Sequence, residues 1–261
     1  MRINTSKLMK NDKSLMLAYD QGLEHGPADF NLTNVDPKHI MDIALEGRYN
    51  AVILQSGLAE KYYHEAYREV PLVLKLNGKT NLTNMTPVSR QIASVDRAVK
   101  LGADAVGYTV YDGSRREPEM FQEFGRIVEQ AHDYGLPVIA WMYPRGKAIK
   151  NDEASDVLAY SARIGLELGA DFIKLKYNGD KEGFRWVVKN AGRARILAAG
   201  GSKANHQEFL QHSKDVLETG ATGLAVGRNI WQDPKPFGLS HALRDVVFNN
   251  KNPQEALKQF K

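Results

Sequence analysis

Eight short runs of apolar, β-branched and aromatic residues recur along this chain, and each is followed by a segment whose apolar positions fall at helical spacing. No other feature narrows the fold as far. The pattern predicts strands over residues 15–20, 51–55, 71–77, 105–111, 137–143, 172–177, 195–200 and 223–227. The runs are nearly continuously apolar rather than alternating, which is the signature of parallel strands covered on both faces. Eight such units point to an α/β chain closed into a (β/α)8 TIM barrel, a single domain over residues 1–261. An open doubly wound sheet would more often place a G-x-G-x-x-G loop after its first strand. That place here holds Asp20-Gln21-Gly22-Leu23-Glu24-His25-Gly26, which lacks the spacing.

The helical segments and their exits support one repeated unit. Residues 117–134 carry Phe121, Phe124, Ile127, Val128 and Ala131 as one apolar stripe. Residues 205–219 open on Asn205 with Glu208 three positions later, a capping-box pattern with asparagine in place of serine. Leu101-Gly102-Ala103-Asp104, Leu168-Gly169-Ala170-Asp171 and Thr219-Gly220-Ala221-Thr222 each precede a strand. A glycine just past a helix end takes the left-handed cap conformation and releases the chain into the next strand.

Composition excludes several classes of function. Hydrophobic residues at 43% and charged ones at 25% describe an ordinary soluble globular protein with a full core. The net charge of +4 comes without a lysine- or arginine-rich block, which argues against a nucleic-acid partner and suits an anionic metabolite. There is no cysteine, so disulfides, thiolate nucleophiles and cysteine metal sites are ruled out. The seven histidines are scattered without the spacing of a metal site, and no metal or cofactor is expected. The first twenty residues hold no apolar signal core and no stretch has the length of a membrane span, so the expected location is the cytoplasm.

In a barrel of this kind the site forms at the C-terminal ends of the strands. Strand one ends in Asp20, strand two in Gln55 and Ser56, and strand three in Lys75, Asn77 and Lys79. Strand five offers Trp141, Tyr143 and Arg145, and strand six offers Lys174 and Lys176. A lysine inside Phe172-Ile173-Lys174-Leu175 is costly unless it works, because desolvation disfavours the ammonium. Lys176, two residues on, leaves the same face of an extended strand, and a second cation there would favour a neutral Lys174. A neutral amine is what attacks a ketone to give a Schiff base. The loops after strands seven and eight hold Gly200, Gly201 and Ser202, then Gly227 and Arg228. That is the usual phosphate position of this architecture, and a guanidinium is the fork-shaped partner a phosphate accepts. Each residue also has a plain explanation. Asp20 can cap a turn, Trp141 can plug the barrel, His25 can bond its own loop, and Lys174 can sit at a strand end with its head in water. Their convergence on one rim favours chemistry.

The most specific stretches are Asp20-Gln21-Gly22-Leu23-Glu24-His25-Gly26-Pro27, Trp141-Met142-Tyr143-Pro144-Arg145-Gly146 and Phe172-Ile173-Lys174-Leu175-Lys176-Tyr177-Asn178-Gly179-Asp180. With Gly200-Gly201-Ser202-Lys203 and Val226-Gly227-Arg228-Asn229, they make nearly the whole chain resemble the archaeal-type class I fructose-1,6-bisphosphate aldolases. The resemblance implies a lyase of glycolysis and gluconeogenesis that needs no metal and acts through a Schiff base on Lys174. It implies Asp20 and Tyr143 as the acid/base groups, Trp141 at the substrate, and phosphate contacts from the 200–202 loop, Gly227 and Arg228. It also implies a phosphorylated sugar as substrate and a homo-oligomer, often a decamer in the family. His25, Arg145 and Lys176 are further candidates for substrate contact, and Lys75, Lys79 and Arg145 for the far phosphate. Related branches run transaldolase, synthase or thiolase chemistry on other phosphorylated keto-compounds. A non-catalytic phosphometabolite-binding barrel is the third reading.

Overall fold

The computed structural model describes residues 3–83, 85–201 and 203–258. Its frame is eight strands: β1 Ser14–Ala18, β2 Ala51–Gln55, β3 Leu72–Lys75, β4 Ala105–Val110, β5 Val138–Met142, β6 Phe172–Leu175, β7 Arg195–Ala199 and β8 Gly223–Val226. Every neighbouring pair is parallel, and β1 pairs with β8 to close the barrel. The outer helices are α1 Pro37–Glu46, α2 Ser56–Tyr62, α3 Val95–Lys100, α4 Glu117–Asp133, α5 Ser155–Glu167, α6 Lys181–Asn190, α7 His206–Glu218 and α8 Pro236–Asn249. The (β/α)8 expectation holds.

Strand alternation divides the core in two. Leu15 and Leu17 point outward beneath the helices, while Met16 and Ala18 point inward with Ile53, Val73, Ile139 and Leu197. Closure is tight at one place: a Cβ on Gly223 would stand 1.7 Å from the Ser14 carbonyl oxygen, so only glycine allows β8 to reach β1 there. Below the strands, the 3-10 turn Ser6–Leu8 buries Leu8 in the inner cluster, and the Ser14 hydroxyl donates to the Leu8 carbonyl. The barrel floor is therefore plugged by the chain's own N-terminal segment.

The repeated joints behave as read. Gly102, Gly169 and Gly220 all have positive φ, at 76°, 91° and 90°. The aspartates beside two of them have a further task. Asp171 accepts the Val138 N–H at 2.8 Å and Asp104 the Leu72 N–H at 3.2 Å, each tying its own strand start to the preceding one. Asn205 caps α7 by accepting the Glu208 N–H. Most strands stop one or two residues before the predicted ends, because the ladder ends where the chain turns out over the rim. Asp20, Tyr143, Lys176 and Gly227 thus stand just beyond strands instead of within them.

Candidate active site

Lys174 is the centre of the upper face. It sits on β6, 6% exposed, with its Nζ 5.2 Å from the centre of the Trp141 ring. Burial pushes its amine down to about 8, opposed by the Asp20 carboxylate and helped by the Lys75 ammonium. Trp141 is buried on β5 beside Lys174 in register. Its indole lies over Gly107 of β4, where any Cβ would come within 2.1 Å of the ring. The glycine is what lets the indole spread across a neighbouring strand.

Lys75 reaches the same indole from the other side, 5.1 Å from the ring centre, and its Nζ stands 3.7 Å from Asp20 Oδ2. Lys75 was a candidate for the far phosphate. It is withdrawn from that role, since it is buried and already paired with a carboxylate. Lys176 is a second correction. It lines the same cavity as Lys174, but the charges that act on the Lys174 amine are those of Asp20 and Lys75, not its own. Burial works against its charge, but Glu153 and Asp152, each 3.1 Å away, outweigh burial and hold the ammonium above the usual lysine range. The second cation acting on Lys174 is Lys75.

Tyr143 closes the wall. Burial and the nearby Asp20 carboxylate raise its phenol well above the usual range, so it keeps its proton at neutral pH. The Arg145 guanidinium lies over the rings of Tyr111 and Tyr143, at 5.1 and 5.7 Å. Glu24 gathers this end of the rim, accepting from Lys79 at 3.1 Å and the Tyr111 hydroxyl at 3.3 Å, with Arg145 3.6 Å away. His25 bonds Asp29 at 2.6 Å, and Asp29 is 3.5 Å from Arg228.

One cavity of about 640 Å³ joins these groups. Its lining includes Asp20, His25, Trp141, Tyr143, Arg145, Lys174, Lys176, Gly200, Gly201, Gly227 and Arg228. Ser202 lies outside the described residues. Gly201 has φ +73°, a conformation glycine adopts without strain, and Gly200 backs onto Val226 of β8. Asn229 binds the two loops together, accepting the Ala204 N–H and donating to the Gly200 carbonyl. The result is a polar pocket with a buried amine at its floor, a carboxylate and a phenol beside it, and glycine loops with an arginine at one edge.

The protein-family comparison covers residues 14–233 with the model described as DeoC/LacD family aldolase. The chain belongs to that family. Within it, the fructose-bisphosphate aldolase class 1 of Thermoproteus tenax is 48% identical over 251 residues, covering 95% of this chain and 94% of that protein. The class 1 enzyme of Halobacterium salinarum is 44% identical over 97% of each. A solved archaeal fructose-1,6-bisphosphate aldolase, with its catalytic lysine covalently bound to the carbinolamine intermediate of its substrate, matches at a TM-score of 0.88. That structure is 47% identical and the match covers 92% of this chain and 96% of the other.

Sequence reasoning missed Glu24, Asp29 and the pairing of Lys75 with Asp20. Glu24 stood in the quoted strand-one motif, but its partners Tyr111 and Arg145 are far along the chain. Among the described residues, no group of three or more His, Asp and Glu side chains is placed to hold a metal ion. No described helix is long and apolar enough to cross a membrane.

Proposed function

We propose that this family member is a class I fructose-bisphosphate aldolase that reversibly cleaves fructose 1,6-bisphosphate to dihydroxyacetone phosphate and glyceraldehyde 3-phosphate. The observation that carries the reading is Lys174: a buried amine biased toward its neutral form, facing a carboxylate and a protonated phenol at the mouth of the barrel. The neutral amine adds to the C2 ketone to give a carbinolamine, which loses water to leave a protonated imine. Asp20 takes the C4 hydroxyl proton, the C3–C4 bond breaks, and its electrons flow into the imine to form an enamine. Glyceraldehyde 3-phosphate leaves. Tyr143 delivers a proton to C3 of the enamine, and water releases dihydroxyacetone phosphate and free Lys174. Gly200, Gly201, Ser202, Gly227 and Arg228 hold the phosphate next to C1. Arg145 and Lys79, which share Glu24, take the phosphate of the glyceraldehyde end, and His25 and Lys176 line the cavity for further substrate contact. Trp141 forms the wall behind the imine.

The same reading includes a cytoplasmic homo-oligomer. Light scattering on the purified chain measures the assembly. The decisive test of the chemistry is borohydride trapping with dihydroxyacetone phosphate in EDTA, followed by peptide mass spectrometry. An adduct on Lys174 supports the reading. Ligand binding with no adduct on any lysine overturns it.

A further inference from the structure

Two lysines, one carboxylate and one indole occupy the floor of the site. Lys75 ends β3 and Lys174 lies on β6, three strands away, yet both amines stand just over 5 Å from the centre of the Trp141 ring. They meet there because β4 carries Gly107 beneath the indole and leaves the ring room to span the gap. Both lysines are about 5% exposed, and burying an ammonium is tolerated only with a counter-charge. Asp20 is that counter-charge, and its nearer partner is Lys75, at 3.7 Å. Among the described residues, Lys174 makes no hydrogen bond or ion pair. One carboxylate pairs with one amine, so Lys75 is the lysine whose charge is matched and Lys174 is the one that gives up its proton more readily.

We propose that Lys75 is a positioning residue of the aldol reaction, holding the Asp20 carboxylate in place and keeping it engaged, so that Lys174 is left as the free nucleophile. The inference rests on the imine chemistry above and adds a residue that never touches substrate. The described residues that line the cavity do not include Lys75, which is set behind Asp20. The other groups that bear on the pair are Glu24 after β1, Arg145 beyond β5, and the phenols of Tyr111 and Tyr143. Only Glu24 among these is a second anion, and it is engaged by Lys79, Tyr111 and Arg145 at the rim. Burial lowers the Lys75 amine too, but Asp20 and Glu24 both act to restore its proton. The effect of Lys75 on Lys174 is the reverse, since a neighbouring cation favours the bare amine.

The test uses the rate of borohydride trapping with dihydroxyacetone phosphate between pH 6 and 10, with the adduct located by mass spectrometry. In Lys75→Met the carboxylate is released to Lys174, which then holds its proton. The midpoint of the trapping profile is expected to move at least one pH unit to the alkaline side of the wild type. Trapping at pH 7 then falls about tenfold or more. The same variant lowers kcat for fructose 1,6-bisphosphate while KM changes little, and Lys75→Arg, which keeps the charge, restores the wild-type midpoint. An unmoved midpoint overturns the proposal, as does a rise in KM with kcat intact, which would make Lys75 a substrate contact. Circular dichroism checks folding. Should Lys75→Met fail to fold, Lys75→Gln removes the charge while retaining a hydrogen-bond donor to Asp20, and its midpoint decides in the same way. No adduct in the wild type sinks the aldolase reading itself, whereas an adduct with an unmoved midpoint sinks only this inference.

Discussion

The buried amine of Lys174 should make the protein less stable than it need be, by an amount that pH can switch off. An amine that titrates at about 8 in the folded chain and at 10.5 when solvated carries about 3 kcal/mol of pH-linked cost. The sign follows from proton counting. Between those two values the unfolded chain binds the proton and the folded chain has lost it, so unfolding takes up a proton and stability rises with pH. Below about 8 both states are protonated and the folded state carries the full cost; above 10.5 neither is charged and the cost is gone. Lys174→Met removes the titrating group while keeping an unbranched side chain against Trp141. The measurement is the urea unfolding free energy of variant and wild type at a series of pH values from 6 to 11. The variant's advantage should shrink by about 3 kcal/mol across pH 8 to 10.5, whatever fixed offset the change in packing adds. Groups common to both proteins cancel in the difference. A difference that stays constant with pH would show that Lys174 titrates as an ordinary solvated lysine, and the case for a poised nucleophile would fail with it.

Three further outcomes are expected. Tyr143→Phe should lower kcat by about 10²–10⁴-fold while a borohydride adduct on Lys174 still forms, and full activity would remove the phenol from the mechanism. Arg228→Ala should raise KM for fructose 1,6-bisphosphate by about tenfold to a hundredfold, the worth of one charge-assisted phosphate contact; an unchanged KM would put the phosphate elsewhere. Gly107→Ala places a methyl group within 2.1 Å of the Trp141 ring, so the indole must leave its position between the two lysines. Overpacking of that kind costs about 1–3 kcal/mol, and kcat should fall with it; a variant with wild-type kcat would show that the indole's position is dispensable.

The barrel was legible because its signals are local. Continuous apolar runs, helical stripes and the glycine joints at 102, 169 and 220 each sit within a few residues, and each reappears at the expected place. Lys174 was legible for the same reason, as a charge inside an apolar run. The part Lys176 plays beside Lys174 was not, because its ammonium is taken up by carboxylates that no local pattern brings to it. Asp152 and Glu153, which hold Lys176, lie more than twenty residues upstream. Lys75 read as one more polar strand end, since its meaning depends on Asp20 from a different strand and on a glycine in a third. Glu24 and Asp29 were hidden likewise: their partners Arg145 and Arg228 come near only when the barrel closes. Strand-end chemistry can be read from sequence, whereas the pairing of one end with another is a property of the ring.

Leu8 fills the inner cluster beneath the strands, on the face opposite the cavity that holds Lys174. In the cleavage direction the aldehyde fragment departs while its partner is still tethered to the floor, so the free fragment cannot be overtaken by the bound one. In the synthetic direction the ketone has to be anchored before the aldehyde can react, because only the enamine formed on the amine attacks it. With the floor filled by a turn of the chain's own, the tether on Lys174 fixes which fragment is held and which is released.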